Sequence, residues 1–94
     1  MHVVIRSYSG RGASELFDLA GQRAEDLKAL ISGVPGFVSF AAFRTEGGGV
    51  AVTVCKDKAG TDESSRRAAE WVKENVSTTL DTPAITEGST FLQF

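Results

Sequence analysis

Three consecutive glycines, Gly47-Gly48-Gly49, stand between two runs that read as strands. Phe37 to Thr45 is rich in aromatics (Phe37, Phe40 and Phe43), and Val50 to Lys56 alternates Val50, Val52 and Val54 with Ala51, Thr53 and Cys55. β-Branched and aromatic side chains suit a pleated strand. Residues without a Cβ supply the backbone angles of a tight turn, so the two runs form a hairpin. A hairpin is antiparallel by construction, and any sheet that contains it is at least partly antiparallel.

The remaining segments frame that hairpin. His2 to Tyr8, with Val3, Val4 and Ile5, reads as a first strand ended by the turn Ser9-Gly10-Arg11-Gly12. From Ala13 to Ile31, Ala13, Leu16, Phe17, Ala20, Ala24, Leu27 and Ile31 recur at spacings of three and four, the stripe of one long helix. Gly33 and Pro35 stop it. Thr61 to Val76 reads as a second helix, capped by Thr61 or Asp62, with its stripe on Ala68, Ala69, Val72 and Val76 and with Trp71 on the flank. A loop from Ser77 to Pro83 leads to a last strand at Thr90 to Phe94, extending back toward Ile85.

The order β-α-β-β-α-β is the split-βαβ, ferredoxin-like plan. It makes residues 1–94 a single α+β domain, a four-stranded antiparallel sheet with two helices on one face. The other face has no helix to cover it and is either polar or buried by something outside the chain. Alternation sets the Val50, Val52, Val54 row toward the helices. An even hairpin loop adds Phe37, Ala41 and Phe43 to that side and leaves Val38, Phe40, Ala42 and Arg44 outside; an odd loop reverses the second strand. Either way the open face keeps aromatic and small apolar residues. A second copy of the chain is therefore expected to cover it as a homodimer.

Composition narrows the function. Ten basic and 12 acidic side chains give a net charge of −2, without the basic excess of an electrostatic nucleic-acid binder. One cysteine forms no internal disulfide, and no Cys/His cluster has metal-ligand spacing. Met1 to Tyr8 holds only three consecutive apolar residues, too few for a signal peptide or a membrane span, so the expected compartment is the cytoplasm.

The element order, the long first helix and the turn Val34-Pro35-Gly36-Phe37 that opens the second strand resemble the dimeric α/β-barrel superfamily, in particular its antibiotic-biosynthesis-monooxygenase-like branch. The segment Cys55 to Gly60, followed by Ser64 to Val76 with Trp71, is similar to that branch's link between the third strand and the second helix. The resemblance implies a small dimeric barrel. It also implies a possible cofactor-independent monooxygenase, in which aromatics and a few polar groups favour a deprotonated phenolic substrate whose carbanion reduces oxygen. No cofactor is implied. Haem-degrading relatives ligate iron through a histidine on the second helix, and the only histidine here is His2, on the first strand.

The candidate pocket residues are Trp71, Arg44, Arg6, Tyr8, Phe40 and His2. Trp71 either walls a pocket between helix and sheet or seals the edge of the core. A strand arginine facing inward, Arg6 or Arg44, holds an enolate or carboxylate oxygen; facing outward it reaches solvent. Tyr8 orients a ligand hydroxyl or packs in the core. His2 is a general base if ordered. Cys55, in a valine-rich strand, reads as a small buried hydrophobe with a raised thiol pKa. The turn Ser9 to Gly12 matches neither the P-loop nor the dinucleotide glycine pattern. Arg66 and Arg67 belong to a solvated face beside Glu63 and Glu70.

Two readings compete: a cofactor-free oxygenase taking a small aromatic ligand, and a non-catalytic ligand-binding dimer of the ACT type with its site near Gly10 to Gly12. An RNA-recognition motif shares the topology, but its third strand needs stacking aromatics that Val50 to Lys56 lacks.

Overall fold

The Glu46-Gly47 turn joins β2 (Phe37–Thr45) to β3 (Gly48–Cys55), with Thr45 opposite Gly48. Gly47 carries φ 79°, the left-handed angle such a turn demands. The strand begins two residues earlier than the triglycine suggests, because Gly48 and Gly49 are sheet residues. A Cβ on Gly48 would stand 1.9 Å from the Tyr8 carbonyl oxygen of β1 (His2–Ser9). The computed structural model describes all 94 residues. Its sheet runs β2-β3-β1-β4, all antiparallel. β4 is Ala84–Ser89. The last strand therefore lies before Thr90, and Phe91, Leu92 and Phe94 are exposed beyond it.

The long helical stripe is two helices, α1 (Ala13–Gln22) and α2 (Ala24–Ser32). Arg23, at φ −113° and ψ 29°, ends one and starts the other. Gly21 weakens the helix just before the break. Arg23 then ties to Asp26 at 2.7 Å in the first turn of α2. Because of the bend, α1 lies over β3 and α2 over β2, which one straight rod could not do. Gly12, at φ 81°, leads into α1 with the Thr79 carbonyl where its Cβ would be.

α3 (Lys58–Asn75) starts three residues before the expected Thr61. Its cap is Asp57, whose carboxylate accepts the Gly60 N–H at 3.0 Å. The buried stripe of α3 is Gly60, Thr61, Ser64 and Trp71, so Trp71 is inside the stripe while Ala69 is exposed. Small and hydroxyl-bearing residues let the first turns of this helix approach closely: Gly60 lies against the Cys55 side chain. Arg66 and Arg67 pair with Glu63 and Glu70 on its outer face. No helix is long and apolar enough to cross a membrane.

The facing of the sheet is the reverse of the expected one. His2, Val4, Arg6 and Tyr8 of β1 point to the helices together with Ala51, Thr53 and Cys55 of β3. Val50, Val52 and Val54 point away. Strand pairing then sets Phe40, Ala42 and Arg44 on the helix side and Ser39, Ala41 and Phe43 on the open side. The open face collects Val3, Ile5, Val50, Val52, Val54 and Phe43, all at least partly exposed, without one charged residue. The physical reason lies under the helices. Phe17 of α1 occupies the place of a Cβ on Gly49, at 2.3 Å, and α3 packs on Cys55, so only a row of small residues fits there.

Candidate active site

That row of small residues leaves space. A cavity of about 860 Å3 lies between the helices and the sheet. Arg6, Tyr8, Ala42 and Ala51 form its floor, Phe17, Ala20, Ala24 and Leu27 its roof, and Trp71 one wall. Ala20, Gly21, Ala24, Ala42, Ala51 and Ala68 are too short to meet across the gap, and larger residues stand around it. Most residues of α2 and the edge strand β2 that line it, among them Ala24, Lys28, Ser32, Phe40, Ala42 and Arg44, are exposed, so the cavity is open along that whole side. A cavity of this size and apolar character accommodates a multi-ring small molecule.

Arg6 is the most deeply buried charged side chain, 3% exposed. Its Nη1 donates to Ser65 Oγ and its Nη2 to Thr53 Oγ1, each at 3.1 Å. Its Nε is buried without an acceptor. The ion pairs of the chain use other cations, and no Asp or Glu lines the cavity. Burying an unpaired ion costs several kcal/mol, so this charge is held against a strong bias by the packing around it. Beside it, burial pushes the Tyr8 phenol above its usual pKa, and the Arg6 charge opposes that rise. The Tyr8 ring meets Phe17 edge to face, centroids 5.9 Å apart.

Five of the six candidate residues, Arg6, Tyr8, Phe40, Arg44 and Trp71, line this one cavity. Arg44 is at its open side, where Nη1 donates to Asp18 Oδ1 at 2.7 Å and ties β2 to α1. His2 is not part of it. It shares a face with Arg6 but sits about 13 Å along β1 at the strand rise of extended chain. The Thr61 hydroxyl donates to the Lys58 carbonyl and so accepts from His2 Nδ1, at 2.8 Å. His2 Nε2 lies 3.7 Å from Glu87 Oε1. His2 thus joins β1 to α3 and β4. Cys55 is fully buried and its thiol pKa is raised, first by burial and then by Asp57. No three His, Cys, Asp or Glu side chains are grouped to hold a metal ion.

Thr53 and Ser65, the partners of Arg6, carried no signal in the sequence. The stripe Leu16, Phe17, Ala20, Ala24, Leu27 was legible, but as core rather than as the roof of a cavity. The turn Ser9 to Gly12 is closed: Asp81 Oδ2 is 2.5 Å from where a Gly10 Cβ would stand, and Arg11 and Asp81 exchange hydrogen bonds.

The architecture recurs in solved structures. A monooxygenase from the gene ActVA-Orf6 of Streptomyces coelicolor, solved with Nanaomycin D, superposes with a TM-score of 0.70 at 15% identity, over 99% of this chain and 89% of that one. Rv0793 from Mycobacterium tuberculosis gives 0.69 at 13% identity, over 98% and 96%. The chain has the fold of the antibiotic-biosynthesis-monooxygenase-like proteins. SnoaB from Streptomyces nogalater, a cofactor-independent oxygenase, shares that monooxygenase-like fold with a TM-score of 0.60 at 16% identity, over 98% and 93%. The resemblance drawn from the element order and the Val34-Pro35-Gly36-Phe37 turn holds at the level of this fold. No model of a known protein family matches the chain, and no curated protein matches it.

Proposed function

We propose that this chain is a cofactor-independent monooxygenase of an aromatic, phenolic small molecule, working as a homodimer joined through its open sheet faces. The observation that carries the reading is the cavity itself. Its walls are apolar and aromatic, and its floor holds one buried positive charge with no acid to neutralise it. Apolar walls suit a planar ring system, and the unpaired charge favours its anionic form. An ionised phenol or anthrone is electron-rich enough to reduce oxygen directly. One oxygen atom enters the substrate, converting a ring CH2 to C=O, and the other leaves as water with the two displaced hydrogens. The substrate supplies all the electrons. The solved neighbours described as a monooxygenase and as a cofactor-independent oxygenase support this class of reaction on this fold.

The dimer rests on the charge-free open face, whose valine and isoleucine rows stay partly exposed in one chain. A contiguous apolar sheet face of this kind marks an interaction surface. The test of the activity is oxygen uptake with dithranol and related polyphenols, in the presence of a chelator and without added cofactor. Uptake in equal amount to substrate supports the oxygenase. Saturable binding of the same compounds without uptake refutes it and leaves a ligand-binding dimer.

A further inference from the structure

Arg6 Nε is closed to water, so the charge of this side chain reaches a guest of the cavity through another group. Tyr8 stands two residues on along β1, on the same helix-facing side, and lines the same cavity. Its ring is braced by Phe17 of the roof. The polar neighbour of the Tyr8 oxygen is Arg6, which acts on it by charge and as a hydrogen-bond donor. A guanidinium has donors only, so Tyr8 takes the accepting part toward Arg6 and its own O–H hydrogen is left over. No side chain or carbonyl of the chain receives that hydrogen. The oxygen is not sealed away either, since Arg6 Nε is the one buried side-chain polar atom that lacks a partner. The Tyr8 hydroxyl is thus an open donor on the floor of the cavity.

We infer that the Tyr8 hydroxyl, with Arg6 behind it, donates to a ring-borne oxygen of the guest and so sets the ionisation of that oxygen. Hydrogen bonds to an ionised acceptor are shorter and stronger than those to a neutral one, so this donor favours a phenolate over the parent phenol. The charged residues of the lining are Arg6, Lys28 and Arg44, and no carboxylate among them competes for the hydrogen. Burial raises the Tyr8 pKa, which keeps the hydrogen on Tyr8 at neutral pH. Arg6 is then a positioning residue that acts through Tyr8. The inference deepens the reading of the cavity as a site for a phenolic molecule, on which it rests; it concerns binding and ionisation and not the attack on oxygen.

Spectrophotometric pH titration of 6-nitro-2-naphthol, whose anion is coloured, tests it under argon, with 2-methyl-6-nitronaphthalene as a probe of the same shape that has no oxygen at that position. Bound to wild-type protein, the naphthol should ionise at a pH lower by about one unit or more than when free, a tenfold preference for the anion. Tyr8→Phe removes one oxygen atom and should abolish most of that shift, while the methyl compound binds both proteins within about threefold. No shift in the wild type, a shift that survives in Tyr8→Phe, or an equal loss of affinity for both probes would each overturn the inference. Should Tyr8→Phe fail to fold, carbon spectra of wild-type protein labelled at tyrosine Cζ replace it, because Tyr8 is the only tyrosine. Its resonance should move downfield with the naphtholate and not with the methyl compound; the same response to both would refute the donor role. A shift that depends on Tyr8, without any oxygen uptake from dithranol, would sink the oxygenase and leave this inference standing.

Discussion

Val52 lies at the middle of β3, opposite Ile5 on one side and Ala41 on the other, in the charge-free open face. Replacing it with aspartate tests whether that face is covered. Full burial of a valine is worth about 1.5–3 kcal/mol, and Val52 is already part-buried, so about 1 kcal/mol per chain remains to be gained from a partner. Val52→Asp removes that gain in both copies of a two-fold dimer. It also buries a carboxylate without a partner in each, at a further cost of about 1–3 kcal/mol even after relaxation. The dimer should weaken by about 4 kcal/mol or more, roughly a thousandfold in its dissociation constant. A monomer with a solvated sheet face would lose only about 1 kcal/mol, the full span of strand propensity. Light scattering on a sizing column reads the result. Wild type should give about twice 10.0 kDa and Val52→Asp the single-chain mass at micromolar concentration. A wild-type protein of 10.0 kDa, or a variant that keeps the double mass, would refute the argument.

Gly48→Ala and Gly49→Ala should part company. The first drives a Cβ to 1.9 Å from the backbone oxygen of Tyr8, which cannot yield, and should cost about 3 kcal/mol in urea unfolding. The second meets only the tip of the Phe17 ring, which can swing into the cavity, so stability should fall by about 1 kcal/mol while affinity for an aromatic ligand such as dithranol drops further. Trp71→Phe shrinks one cavity wall and should lower oxygen uptake about tenfold with little change in unfolding midpoint; unchanged turnover would remove Trp71 from the site. Glu63 is held down from 4.5 to about 2, first by hydrogen bonds from Arg66 and then by those from Arg67. A depressed carboxyl stabilises the fold above its unfolded pKa and loses that contribution as pH falls through the folded one. The difference in melting temperature between wild type and Glu63→Gln should therefore be constant above about pH 5, fall as the pH drops toward about 2 and vanish by about pH 1. The Cys55 thiol, fully buried with a raised pKa, should resist a disulfide reagent until the protein is unfolded by urea.

Much of the candidate site was legible as a set of residue types and not as a place. An arginine in a strand, Arg6, was noticeable because its neighbours Val4 and Ile5 are apolar. Nothing local marked it as buried with Thr53 and Ser65 for partners, since those contacts span 47 and 59 residues. His2 looked like a base because it is the only histidine. Its hydrogen bond to Thr61 depends on α3 starting at Lys58, which the Asp57 cap decides. The break at Arg23 was hidden because the apolar stripe runs through it without losing phase, so periodicity alone describes one helix.

By itself the sequence determined the order of elements, the hairpin at Gly47 and the sharing of faces along each strand. These follow from turn angles and from periods of two and three to four, which act over a few residues. Which face of the sheet the helices cover was decided only in three dimensions. Alternation says that Val50, Val52 and Val54 lie together, but both rows of β3 are apolar enough to be buried, and hydropathy does not choose between them. The choice was made by volume: Phe17 above Gly49, α3 upon Cys55, and the bulk of Arg6 and Tyr8 from β1 required the small row beneath the helices. The same requirement turned the valines outward and left a cavity above the alanines.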